Sequence, residues 1–294
     1  MKRALLRAQS ALAMVLVLAS TATYAERIVL LDQKSKFQRL IVVEDTVRRE
    51  RYLYSEDQNG LQGLISLRRP EDLGPQYLRS SLLGLVFAPE NPSAMLFVGL
   101  GTGSLPRYLT PRYPRTRLDA VEIDPDVPPI ARRYFELPAA RNLNVVVAEG
   151  REFIRASTRK YDYVLMDAYF SAELPAHLAT LEFVGELRRV LKPGGVVVAN
   201  LVAPEYSANF WSVLKTYQAG FPHVRVFATE SPVNLILIAS GADLSRDPAS
   251  MQKRIGQLKS RHRIEVDLAA LAARSPAWRT APAAAPILRD APLR

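Results

Sequence analysis

The chain has no cysteine at all. That excludes disulfides, a thiolate metal site and a cysteine nucleophile. It has only three histidines, His177, His223 and His262, scattered without clustered spacing, which argues against a structural zinc site, and no metal is expected. After the first 25 residues no apolar run approaches the ~20 residues that a membrane-spanning helix needs. Ser171 lies near Asp167, but no histidine stands at a recognisable spacing for a hydrolase triad. No RNA- or DNA-binding motif accompanies the positive charge, so no nucleic-acid partner is expected.

What is present begins with a three-part leader. Residues 1–25, MKRALLRAQSALAMVLVLASTATYA, carry Lys2, Arg3 and Arg7, then an apolar run, then a small-residue site ending at Ala25. This is the pattern of a secretory signal peptide, and it predicts a periplasmic or secreted protein with no stable membrane span after signal removal. An uncleaved anchor or a misassigned start codon is the competing reading. The formal charge is +10, or about +7 without the three leader cations. Much of that excess lies in KRIGQLKSRHR, 253–263, which reads as a solvated helix face.

Two blocks and a tail follow. Residues 26–75 hold short alternating runs (RIVLLD, QRLIVVED, ERYLYS, LISL) separated by polar turns, the mark of a small antiparallel β domain. Residues 76–242 change to strand–helix alternation, and the Val/Ile/Leu-rich strands are continuous enough to be covered on both faces. Between the last two strands, VRVFATE and NLILIAS, only SPV remains. That is too short for a parallel crossover, so these strands form a hairpin and one of them is antiparallel. Seven strands ending in a hairpin predict an α/β, Rossmann-like sheet of the class I S-adenosylmethionine-dependent methyltransferase type. The tail, 243–294, is basic and then Ala/Pro-rich; it wraps or frays.

LFVGLGTGSL places Gly99, Gly101 and Gly103 at the turn leaving the first strand of that sheet. Glycines there let backbone approach a ligand closely. Glu122, 21 residues after Gly101, ends the second strand; a carboxylate at that place can accept both ribose hydroxyls. Glu149 ends the third, where it can accept from an adenine amino group, and Asp167 ends the fourth. Acids at the carboxyl ends of consecutive strands face the crevice in which open α/β sheets bind ligands. With the glycine loop they define a candidate adenosine site, with Asp167 at its reacting end. His177 reads as a capping or packing residue rather than an acid or base.

These segments resemble the spermidine synthase (polyamine aminopropyltransferase) family, and in particular its spermidine synthase-like branch. SKFQRLIVVE is similar to the family's S-x-Y-Q segment, GLGTGS to G-G-G-D-G-G, VEIDPDV to E-I-D-x-x-V, EGREFI to D-G-x-x-F, and YDYVLMDAYF to Y-D-V-I-I-x-D-S-x-D. The resemblance implies a donor site formed by Gln38, Gly99, Gly101, Thr102, Gly103, Glu122, Glu149 and Gly150, with Tyr77 and Phe170 on the acceptor side. It implies Asp167 as the base for attack of a small-molecule amine acceptor on decarboxylated S-adenosylmethionine. An alkyl ammonium of pKa about 10 must lose a proton before it can attack. Family members are commonly dimers or tetramers, so the resemblance also implies a homodimer or larger assembly.

The departures are as informative. Thr102 stands where the family has an Asp, Phe170 where it has the second Asp of D-S-x-D, and Leu78 and Arg79 where it has polar or acidic residues. Loss of one partner of a desolvated charge pair costs ~2–5 kcal/mol, so a diamine should bind far more weakly unless Glu173 or another acid compensates. Thr102 also removes the charge that would repel the carboxylate of intact S-adenosylmethionine. Three readings follow: an aminopropyltransferase with an altered acceptor, an S-adenosylmethionine-dependent methyltransferase or other transferase, and an exported non-catalytic nucleoside- or polyamine-binding relative.

Overall fold

The computed structural model describes residues 26–56, 60–168, 174–276 and 280–291. Four antiparallel strands come first: β1 (Arg27–Lys34), β2 (Arg39–Asp45), β3 (Glu50–Ser55) and β4 (Gly60–Ser66), paired in chain order. Two short helices, α1 (Gln76–Ser81) and α2 (Gly84–Phe87), lead into the second block.

That block is a seven-stranded sheet. Its parallel members are β5 (Ala94–Val98), β6 (Arg117–Glu122), β7 (Leu143–Val147), β8 (Tyr161–Met166) and β9 (Leu191–Val202). The hairpin is β10 (His223–Ala228) and β11 (Asn234–Ser240), and β11 runs antiparallel to both β10 and β9. The order β10-β11-β9-β8-β5-β6-β7 is the class I methyltransferase-like sheet expected from the three-residue connection.

The strands read as unbroken apolar runs because both faces are covered. In β8 every residue is buried, yet side chains alternate. Tyr163 and Leu165 join one core with Leu82, Leu85, Val198 and Ile236. Val164 and Met166 join the other with Phe183, Leu187, Leu214 and Tyr217, contributed by α6 (Leu181–Val190) and α7 (Phe210–Gly220). Asp167 continues the row of Tyr163 and Leu165, which aims it toward the α1 side.

One strand start is irregular. β9 begins at Leu191, so the turn-forming LKPGG, 191–195, lies inside the strand. The ladder pairs Tyr161 with Leu191 and then Tyr163 with Val196, so the extra residues bulge out of the pairing around Gly194, at φ +74°. The glycine still serves a turn, but one enclosed within the strand.

The tail wraps. After α8 (Pro248–His262) and α9 (Leu268–Ala272), residues 280–291 cross α6 and α7. The Leu288 amide donates to Thr216 Oγ1 at 2.9 Å, and the Leu181 amide donates to the Leu288 carbonyl at 2.9 Å. Asp290 meets the Arg151 guanidinium through two bonds of 2.7 Å. Arg151 lies in α5 (Gly150–Ala156) and also donates to the His177 carbonyl, so the tail is tied to the segment that follows Asp167.

Candidate active site

The glycine loop and Asp167 touch through backbone. Gly99 sits at φ +96°, and a Cβ there would lie 2.5 Å from the Asp167 carbonyl oxygen. Only glycine permits that approach. The Gly99 amide donates to Val121 and the Asp167 amide to Val98, both at 2.9 Å, so the loop and the acid extend the ladders on either side of β5. Gly101 and Gly103 also have positive φ, +51° and +69°. Gly103 opens α3 (Ser104–Leu109), packed so closely that a Cβ would meet Leu137 at 2.6 Å. Gly150 opens α5 against β5, where a Cβ would meet Val98 at 2.6 Å.

Glu122 is buried and bent back on the loop. Its carboxylate accepts from the amides of Leu100 (3.0 Å), Gly101 (3.5 Å) and Asp124 (3.0 Å). Burial raises its pKa more than these donors lower it, and neighbouring Asp124 adds to the rise. A carboxylate offers about four lone-pair sites, so three amides leave one open for a ligand hydroxyl. Glu149 caps α5 by accepting from the Glu152 amide at 2.8 Å, and its other oxygen lies 3.0 Å from His177 Nε2. Burial acts to raise the Glu149 pKa, but the amides of Arg151 and Glu152 together with His177 outweigh it and hold the carboxyl low. His177, in a 3-10 turn at Ala176–Leu178, therefore supports Glu149.

The N-terminal sheet closes one side. Ser35 Oγ is 2.5 Å from Asp124 Oδ2 and accepts from the Phe37 and Gln38 amides, each at 3.1 Å. This fixes the backbone of Gln38 against the turn that follows Glu122. Thr102 is buried with its side chain against Gly63 of β4, and its hydroxyl lies 2.9 Å from Ser104 Oγ. This residue of the implied donor site thus packs into the junction with the N-terminal sheet.

Around the Asp167 carboxylate three elements converge. Tyr77 Oη, from α1, donates to Oδ2 at 2.9 Å, and Asn200 Nδ2, from β9, donates to Oδ1 at 2.9 Å. Asn234 Nδ2, from β11, donates in turn to Asn200 Oδ1 at 3.0 Å. Burial pushes the Asp167 pKa up to about 6, against the lowering effects of Asn200 and Tyr77. A carboxyl titrating there is ionised at neutral pH yet more basic than an exposed one, as general-base chemistry requires. Leu78 is buried, and Arg79 faces Glu230 at 3.8 Å. Phe170 and Glu173 lie outside the described residues.

Sequence reasoning missed Ser35, Asp124, Asn200 and Asn234. A signal for the last two existed. In VVVAN and NLILI a lone polar residue borders an apolar row, and the antiparallel hairpin carries the start of β11 to the same end of the sheet as the finish of β9.

Fold and site together define an α/β protein of the methyltransferase-like class with a partly desolvated carboxylate beside its glycine loop. The spermine/spermidine synthase domain matches residues 82–239, more than half of the chain, and the chain belongs to that family. It is 34% identical over 193 residues to a polyamine aminopropyltransferase of Vibrio vulnificus, a match spanning 64% of this chain and 64% of that relative's length. A probable spermidine synthase from Corynebacterium glutamicum superposes with a TM-score of 0.70 at 20% identity, over 90% of this chain and 98% of that one; this likeness concerns fold. Human methyltransferase-like protein 13, solved in complex with SAH, aligns at 26% identity with a TM-score of 0.58, over 64% of this chain and 93% of that one.

Proposed function

We propose that the chain transfers an aminopropyl group from decarboxylated S-adenosylmethionine to an amine. The observation that carries this reading is the Asp167 carboxyl, held by Tyr77 and Asn200 against the glycine loop with its pKa at about 6. The acceptor nitrogen attacks the methylene carbon next to the sulfonium, and the C–S bonding pair leaves with sulfur as methylthioadenosine. The nitrogen's proton passes to Asp167. Most of the acceleration comes from holding amine and sulfonium in line. Gly99, Gly101, Gly103 and Gly150 let the backbone approach the donor, Glu122 takes a ribose hydroxyl, Glu149 the adenine end, Gln38 borders the donor from the N-terminal domain, and Thr102 backs the glycine loop where it packs against β4. Tyr77 lines the acceptor side, where the resemblance also assigns Phe170, a residue outside the described ones.

The relatives named for aminopropyl transfer support this reading, as does the family. The leader at residues 1–25 supports action outside the cytoplasm, checked by processing and fractionation of tagged full-length protein. The enzymatic test supplies decarboxylated and intact S-adenosylmethionine with a panel of mono-, di- and triamines and measures methylthioadenosine. Amine-dependent release from the decarboxylated donor, lowered about 10²- to 10⁴-fold in Asp167→Asn, is expected. Methyl transfer from the intact donor, or no product from either, overturns the proposal.

A further inference from the structure

The row Val196, Val198, Asn200 on β9 and the row Asn234, Ile236, Ile238 on β11 share one face of the sheet. The register pairs Asn200 with Ile236 and Val202 with Asn234, so the two asparagines are diagonal neighbours, within reach across an antiparallel pair. Asn200 is only 5% exposed, and a buried amide must satisfy both ends. Its Oδ1 takes the Asn234 N–H at 3.0 Å, and its Nδ2 donates to Asp167 at 2.9 Å.

Direction matters in this chain. Turning the Asn200 amide over would set its oxygen against the Asp167 carboxylate and its nitrogen against the Asn234 donor. Both contacts would be mismatched. Only a protonated Asp167, donating its own O–H, would accept the turned amide. We infer that Asn234 is a positioning residue: by occupying Asn200 Oδ1 it holds that amide with its N–H toward Asp167, and so keeps the acid in its proton-accepting form.

The groups facing Asp167 leave this role to the asparagines. The Tyr77 phenol comes from α1, and the Tyr163 phenol stands behind on β8 with its pKa raised by its own burial. Arg79 of α1 and Glu230 of the β10–β11 connection face each other. Glu122 of β6 is held by backbone amides. Burial pushes the Asp167 pKa up, and Asn200 opposes it. Asn234 sets which end of Asn200 does so.

The inference rests on the aminopropyl-transfer reading only for its kinetic readout. The first measurement is a carbon-13 NMR titration of the Asp167 carboxyl in the full chain, wild type against Asn234→Leu. Leucine has similar bulk and no hydrogen bond to give. The midpoint should rise by about one pH unit, a tenfold change in the ionisation equilibrium. Correspondingly kcat/KM should fall about tenfold below the midpoint and converge with wild type in alkali, with donor affinity unchanged. Should the leucine variant fail to fold, Asn234→Ala, which removes the donor without adding charge, should raise the midpoint in the same direction. A folded variant whose midpoint stays at the wild-type value overturns the inference. A shifted midpoint in a chain without aminopropyl transfer leaves the inference standing and removes the proposed reaction.

Discussion

Replacing Asp167 with asparagine should stabilise the fold while removing the base. Burial lifts this carboxyl from 3.8 to about 6, and a shift of about two pH units corresponds to ~3 kcal/mol of difference between its protonation states. The folded pKa lies above the unfolded one. The group's favourable contribution is therefore complete below about pH 4 and lost as pH rises through about 6. At about pH 8 the native state holds a charge that the unfolded chain solvates better. Asparagine removes that charge and can still accept from Asn200 while donating to the Tyr77 hydroxyl, which reverses its role. Partial exposure of Asp167 screens part of the effect, leaving an expected gain of about 1–2 kcal/mol at about pH 8. Urea unfolding of wild type and Asp167→Asn at about pH 8 and about pH 4 measures it. The gain should be present at the higher pH and vanish at the lower. A variant that is less stable at about pH 8, or equally shifted at both, refutes the claim that the site holds an ionised, desolvated carboxylate.

Two further outcomes follow from single contacts. Gly99→Ala adds a Cβ 2.5 Å from the Asp167 carbonyl at φ +96°; it should cost about 1–3 kcal/mol of stability and weaken methylthioadenosine binding by calorimetry, while an unchanged affinity would mean the loop is not the donor site. Asp290 is held down to about 2, chiefly by the Arg151 side chain and then by Thr180, so its stabilising contribution is present above about pH 4 and is lost as pH falls through about 2. Asp290→Asn should release residues 280–291 to limited proteolysis at neutral pH, and protection equal to wild type would refute its role as the tail's anchor.

Strand ends were the most legible part of the site, for a physical reason. A parallel strand covered on both faces must be apolar along its length, so an acid that ends it, such as Glu122 or Asp167, stands out and lies in the crevice. The hairpin was equally legible, because three residues cannot cross a sheet. Side-chain partners were not. Glu149 has the right position for an adenine contact, but its present partners are the Glu152 amide and His177, and nothing in AEG distinguishes a helix cap from a ligand acceptor. Thr102 follows glycines that face the crevice, yet it is buried, and its burial depends on how Gly63 of β4, 39 residues earlier in the chain, docks against it. The tail carries no periodicity in its Ala/Pro-rich stretch, and its anchor joins Asp290 to Arg151, 139 residues apart. Contacts of that range are set by tertiary packing.

The neutral partners of Asp167 also bear on how the proposed transfer works. A base near 6 facing an ammonium near 10 is short by about four pH units, so the neutral amine that attacks is a minor species, about one part in 10⁴ of the bound acceptor, reached by transfer of the ammonium proton to Asp167. Attack draws on that species as the C–N bond forms, and the alkylated nitrogen is again an ammonium of ordinary pKa. The acid must then be ionised in the waiting state and as basic as that condition allows. Burial raises its basicity, while the Tyr77 and Asn200 donors keep it charged. A cation in place of either donor would hold the charge more firmly and forfeit basicity; an apolar residue would leave the acid protonated. Two neutral hydrogen bonds, one of them oriented by Asn234, occupy the interval between those failures.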